Sequence, residues 1–175
     1  MLKDGGADHL KPGTTLPSLA LPATDGSDVD LAALPGRSIV IVYPWTGRPG
    51  HPNPPDWDAI PGAHGSTPEL EGFRDREAGF AALSVRLLGL SRQTTEHQRE
   101  LATRLALPFA ILSDKEGRFA AALGLPSFAT GGEIYLKRLT ILIEGGRIET
   151  VFYPVAEPAH HAAEVLLALQ KQVKA

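Results

Sequence analysis

The sequence predicts an α/β domain with a mixed central sheet flanked by helices. Three observations predict it. Ser38 to Tyr43 (SIVIVY) is an unbroken, mostly β-branched run of the kind buried on both faces of a sheet. From residue 67 to residue 124, helical and extended patterns alternate, which demands a mainly parallel sheet covered on both sides. Near the C-terminus, Glu144-Gly145-Gly146-Arg147 separates two short apolar runs as a hairpin turn, and this closing hairpin makes the sheet mixed.

The elements follow in order. Residues 1–13 are polar and Gly-rich and are expected to be mobile, ahead of one domain over 14–175. Residues 16–22, the Asp25-Gly26 turn and residues 29–34 read as a short edge hairpin extending the N-terminus. After the 38–43 strand, a helix is expected over 67–83, a strand over 85–90, a helix over 94–105 and a strand over 109–112. A short helix over 118–123 is closed by Gly124. Strands over 139–143 and 148–152 form the closing hairpin. A last helix over 158–173 carries Ala162, Val165, Leu166, Leu169 and Val173 as its apolar stripe. This order, with its leading hairpin, is a thioredoxin-like pattern.

Composition narrows the function. The chain has 175 residues, a net charge of -3, six scattered histidines and no cysteine. Nothing in it favours a nucleic-acid surface, and no apolar run is long enough to cross a membrane. The start lacks the apolar core of a signal peptide, so a cytoplasmic location is expected. Without cysteine there is no disulfide, no thiolate and no sulfur-ligated metal, and no cofactor is expected. His51 and His64 with Asp56 or Asp58 have no metal-ligand spacing. Gly65-Ser66-Thr67-Pro68-Glu69 lacks the second glycine of a nucleophile elbow, so His64 beside Ser66 does not indicate a serine hydrolase. His160 and His161 are expected to be solvated.

One segment stands out. Residues 47–65 hold five prolines, four glycines and Trp57 without periodicity. A long irregular loop in a compact domain is uncommon and often functional, and this one leaves the carboxyl end of a strand, where sites form in such sheets. Trp57 is expected to anchor the loop or, as an exposed aromatic, to make a dimer contact. Just after the loop, Ser66-Thr67-Pro68-Glu69 fits a capping box, and Thr67 as cap with Pro68 at the first helical position fits equally well.

Four pieces of sequence resemble a peroxiredoxin of the alkyl-hydroperoxide-reductase/thiol-specific-antioxidant group, of the bacterioferritin-comigratory type. They are Tyr43-Pro44 at a strand end; Ser66 through Phe73-Arg74-Asp75; Ser113-Asp114 followed by the short helix; and Arg138 opening a strand-turn-strand segment. The resemblance implies that Ser66 occupies the peroxidatic-cysteine position and Glu71 the position of a resolving cysteine. It implies that Pro44 and Arg138 match the active-site proline and arginine, and that Thr46 and Thr67 line the pocket. It also implies a peroxide or small anion in that pocket, a thioredoxin-like reductant for an active parent, and a homodimer. The insertion breaks the family's usual spacing between Pro44 and the thiol position.

The chemistry expected of the site follows from charge. A helix N-terminus and a nearby cation lower a thiol's pKa from about 8.5, and both a helix start at Ser66 and Arg138 on a neighbouring strand are present. Serine cannot use them: its hydroxyl is far less acidic and has no sulfenic-acid route. Arg138 has an alternative reading, as a strand residue paired with Glu133 or Glu149. Two functional readings stand: a thiol peroxidase in which serine replaces the cysteine, and a natural cysteine-free relative that uses the pocket for binding or for regulating a partner. The glutamate at position 71, five residues after Ser66 and on a different helix face, and the absence of any other cysteine favour the second.

Overall fold

The computed structural model describes residues 6–174. Its sheet has five strands. β1 (Ala20–Pro22) and β2 (Asp28–Asp30) form the N-terminal hairpin, and β3 (Arg37–Val42) is the centre of the sheet. The two-part helix α1 (Ser66–Asp75) and α2 (Glu77–Ala82) leads to β4 (Val85–Ser91), α3 (Thr95–Arg104) and β5 (Ile111–Ser113). Then come α4 (Arg118–Leu123), a hairpin of β6 (Ser127–Thr130) and β7 (Glu133–Leu136), β8 (Leu139–Glu144), β9 (Arg147–Phe152) and α5 (Pro158–Val173). The strand order is β5-β4-β3-β8-β9, with β3, β4 and β5 parallel and β8 and β9 antiparallel. The expected thioredoxin-like architecture is therefore present.

The period-2 alternation of β3 explains its unbroken apolar run. Ile39, Ile41 and Tyr43 face one core with Leu70, Phe73, Phe80 and Val165. Val40 and Val42 face a second core with Leu31, Phe119 and Leu123. Both faces are covered, so neither can be polar. α5 lies against α1, and Gly72 is what lets them meet closely: a Cβ there would stand 3.4 Å from the Ala162 methyl.

Several expectations are corrected. The helix expected over 67–83 breaks at Arg76, whose backbone (φ -111, ψ 9) leaves the helical region and splits it in two. The β6–β7 hairpin was not expected, because its Gly131-Gly132 turn reads only as loop; both glycines have positive φ, which a tight turn requires. The expected mobile start is anchored from residue 10: Leu10 is buried in the core, and the Gly13 amide donates to the Ile148 carbonyl at 2.7 Å. Residues 1–5 of that start lie outside the described residues.

Phe73 is fully buried against Phe80 and His161, with ring centroids 5.7 and 5.9 Å away. Phe73→Ala is expected to destabilise the fold by about 3–5 kcal/mol in urea unfolding, the transfer and cavity cost of a buried phenylalanine.

Candidate functional site

The site forms where the end of β3, the start of α1 and the start of β8 meet. Gly65 makes the entry into α1. Its φ of 111 is left-handed, and a Cβ there would lie 2.7 Å from Pro158, so no other residue fits this close approach. Ser66 is the first residue of α1. It is buried, and its hydroxyl has no hydrogen-bond partner among the described residues. The capping expectations are thereby corrected: Gly65 is the N-cap with no side-chain cap, neither Ser66 nor Thr67 fills that role, and Glu69 does not reach back.

Glu69 turns to Arg138 instead. Arg138, immediately before β8, donates from Nη1 to Glu69 Oε1 at 3.0 Å, and both side chains are almost fully buried. Its Nη2 donates to the carbonyls of Gly62, Ala63 and His64 at 3.3, 3.4 and 3.1 Å. Neither Glu133 nor Glu149 is its partner; Glu149 pairs with Arg37 at 3.2 Å. One guanidinium thus ties α1 to the end of the insertion. Glu69 Oε2, Arg138 Nε and the Ser66 hydroxyl are all buried and all without partners among the described residues. Buried polar groups ordinarily find partners, and three at this junction lack them.

The remaining expected residues separate into those at the junction and those beside it. Pro44 is buried directly after Tyr43. Thr46 is buried but committed elsewhere. Its hydroxyl donates to Gln93 Oε1 at 3.1 Å, and its carbonyl accepts from Gln93 Nε2 at 3.0 Å and from His97 Nε2 at 2.9 Å. Thr67 is half-buried on the first turn of α1. Glu71 is 40% exposed and pairs with Arg74 at 3.7 Å, as its rotation away from Ser66 requires. Phe73 is core, and Arg74 Nε holds Asp75 at 2.9 Å.

The loop histidine and the aromatics are also placed. His64 pairs with Asp58 at the surface, and no metal-ligand group forms among the described residues. Trp57 is not exposed: it is 3% accessible, on a short 3-10 turn, with Trp45, Phe128 and Tyr135 rings 5.1–5.7 Å away. It anchors the insertion to the β6–β7 hairpin. His160 is exposed as expected, but His161 is buried, with Nε2 2.8 Å from Thr140 Oγ1.

Burial sets the protonation of this junction. It pushes the Glu69 carboxyl up to about 7, against the pull of Arg138. It pushes the His161 imidazole down to about 4, and the Arg138 charge adds to that. Burial also raises the Tyr43 phenol far above its usual range, against a hydrogen bond with Ser91 and with the charge of Glu69 contributing. Sequence reasoning missed Glu69 because its position three residues after Ser66 reads as a capping partner. The available signal was a carboxylate one turn from Ser66 and a single inward arginine with no assigned counter-ion.

A strand-end proline, a buried helix-start residue and an inward arginine just before the neighbouring strand thus come to one junction. The redoxin family model matches residues 11–167. Peroxiredoxin Bcp of Escherichia coli K12 is 30% identical over 159 residues, covering 87% of this chain and 91% of that protein. Chloroplastic peroxiredoxin Q of Sedum lineare is 28% identical over 163 residues, covering 90% of this chain and 77% of the relative. Among solved structures, peroxidoxin BcpB of Mycobacterium tuberculosis matches with a TM-score of 0.74 at 24% identity, over 93% of this chain and 98% of that one. The chain belongs to the peroxiredoxins of the redoxin family. Among the described residues no helix is long and apolar enough to cross a membrane.

The two shifted groups oppose each other in pH. His161 stays neutral in the fold, while the unfolded chain takes up its proton at 6.5, so stability is lost as pH falls from 6.5 toward 4. Glu69 keeps its proton in the fold up to about 7, while the unfolded chain releases it near 4.5, so stability is lost as pH rises through that window. Denaturation across pH 4–8 is expected to show the acid loss shrinking in His161→Gln and the loss toward pH 7 shrinking in Glu69→Gln.

Proposed function

We propose that this chain is a cysteine-free peroxiredoxin that binds a peroxide or small anion at the Ser66–Arg138 junction and does not reduce it. The observation that carries this reading is the buried Ser66 hydroxyl, unpartnered at the start of α1 beside an arginine held in place by Glu69. The helix N-terminus and Arg138 Nε favour negative charge there. A thiol peroxidase needs a thiolate that attacks the O–O bond, forms a sulfenic acid and releases water or an alcohol. Serine offers no such step, and the chain has no cysteine elsewhere to substitute.

Glu71 supports natural loss of the thiol chemistry over a single replaced residue. At the resolving-cysteine position it forms a surface pair with Arg74 and does not face Ser66. A cytoplasmic location, a homodimer and regulation of a partner complete the proposal; a thioredoxin-like reductant belongs to an active parent, since this chain presents it no disulfide.

Peroxide consumption by the purified protein and by Ser66→Cys tests the reading. The wild type is expected to consume none. Ser66→Cys is expected to consume hydrogen peroxide faster than a free thiol and to form a sulfenic acid. Turnover by the wild type, or a Ser66→Cys thiol no faster than free cysteine, would overturn it.

A further inference from the structure

Beyond the Ser66 junction, a crevice of about 330 Å³ opens past the carboxyl ends of β3, β4 and β5. Trp45 comes from the end of β3, Arg92, Thr94 and His97 from the end of β4 and the start of α3, Lys115 from the loop after β5, and Glu133 from β7. This is where ligands bind in open parallel sheets, and the volume lies at the small end of ligand sites.

The polar groups in this crevice are unevenly satisfied. Arg92 is half-buried and has no carboxylate partner among the described residues. Among the described residues its one hydrogen bond runs from Nη1 to the Ile134 carbonyl at a long 3.4 Å, and its Nε is buried without an acceptor. The guanidinium lies over Gly117, where a Cβ would come within 3.1 Å of Nη2. An unmade buried donor is costly, and a guanidinium whose Nε is buried and unpaired, with no carboxylate beside it among the described residues, suits an acceptor from outside. Lys115 supplies a second cation in the same crevice. Arg92 and Lys115 together outweigh the single carboxylate of Glu133. His97 is oriented by the Thr46 carbonyl, to which its Nε2 donates. The Trp45 ring gives an apolar wall against which a planar body can lie.

We propose that this crevice is a second ligand site, separate from Ser66, which takes a small organic anion: a carboxylate or phosphate group held by Arg92 and Lys115, on a planar or apolar body seated against Trp45. The assignment stands on Arg92, Lys115 and Trp45 and does not depend on any activity at Ser66.

Calorimetric titration with benzoate, inorganic phosphate and benzylamine tests it. The full chain is expected to bind benzoate more tightly than phosphate, and benzylamine not at all. Arg92→Ala is expected to weaken benzoate at least tenfold and Lys115→Ala several-fold, with circular dichroism unchanged. Glu133→Gln is expected to tighten benzoate several-fold, a gain that misfolding cannot produce. Ser66→Ala is expected to leave binding unchanged. No binding of either anion, or loss in Ser66→Ala with none in Arg92→Ala, would overturn the proposal; the latter outcome would place the anion at the Ser66 junction. Equal binding of benzylamine and benzoate would also overturn it, by showing that charge does not select the ligand.

Discussion

Arg138 is buried at the junction of three chain segments, and the geometry of the site depends on where its five N–H donors go. One terminal nitrogen holds Glu69 on α1, and the other holds three successive carbonyls at the end of the insertion. Removing an arginine from such a place would leave a buried carboxylate and a set of buried carbonyls unpaired, the costly half of breaking a buried ion pair. The guanidinium therefore does two things at once. It fixes the loop that delivers Gly65 into its left-handed turn, and it leaves its Nε buried without a partner among the described residues.

The same arrangement explains why the surroundings of Ser66 can persist without a thiol. Helix start, arginine, Glu69 and Tyr43 are each placed by the fold: Tyr43 by its alternation on β3, Glu69 by its spacing from Ser66 on α1, and Arg138 by its position before β8. None of them is placed by the residue at position 66. The insertion is likewise held by contacts remote from Ser66, with Trp57 among three aromatic rings and Thr130 donating to the Pro55 carbonyl at 2.6 Å. A change of residue at position 66 therefore leaves the shape of the junction in place.

Legibility from sequence followed periodicity. β3, β8, β9 and α5 were legible almost to the residue, because two-sided burial gives an unbroken β-branched run and one-sided burial gives a 3.6-residue stripe. The break at Arg76 was not, since the apolar spacing from Phe73 to Phe80 continues across it. The β6–β7 hairpin was missed because its strands are short and half-exposed. Ser66, Pro44 and Arg138 were placed through family resemblance, whereas Thr46 proved to be locked to Gln93 and His97, contacts between segments 47 and 51 residues apart. The burial of Trp57 and His161 was invisible for the same reason: each is covered by residues distant in sequence, and a Pro-rich loop or a helix start carries no local sign of such cover.

The most direct measurement is the pKa of the thiol in Ser66→Cys, followed by thiolate absorbance. The chain has no other cysteine, so the signal has one source. An intact anion-favouring junction predicts a value clearly below the ordinary cysteine value of about 8.5. A value at or above it would show that burial outweighs the helix start and Arg138, and would contradict the account.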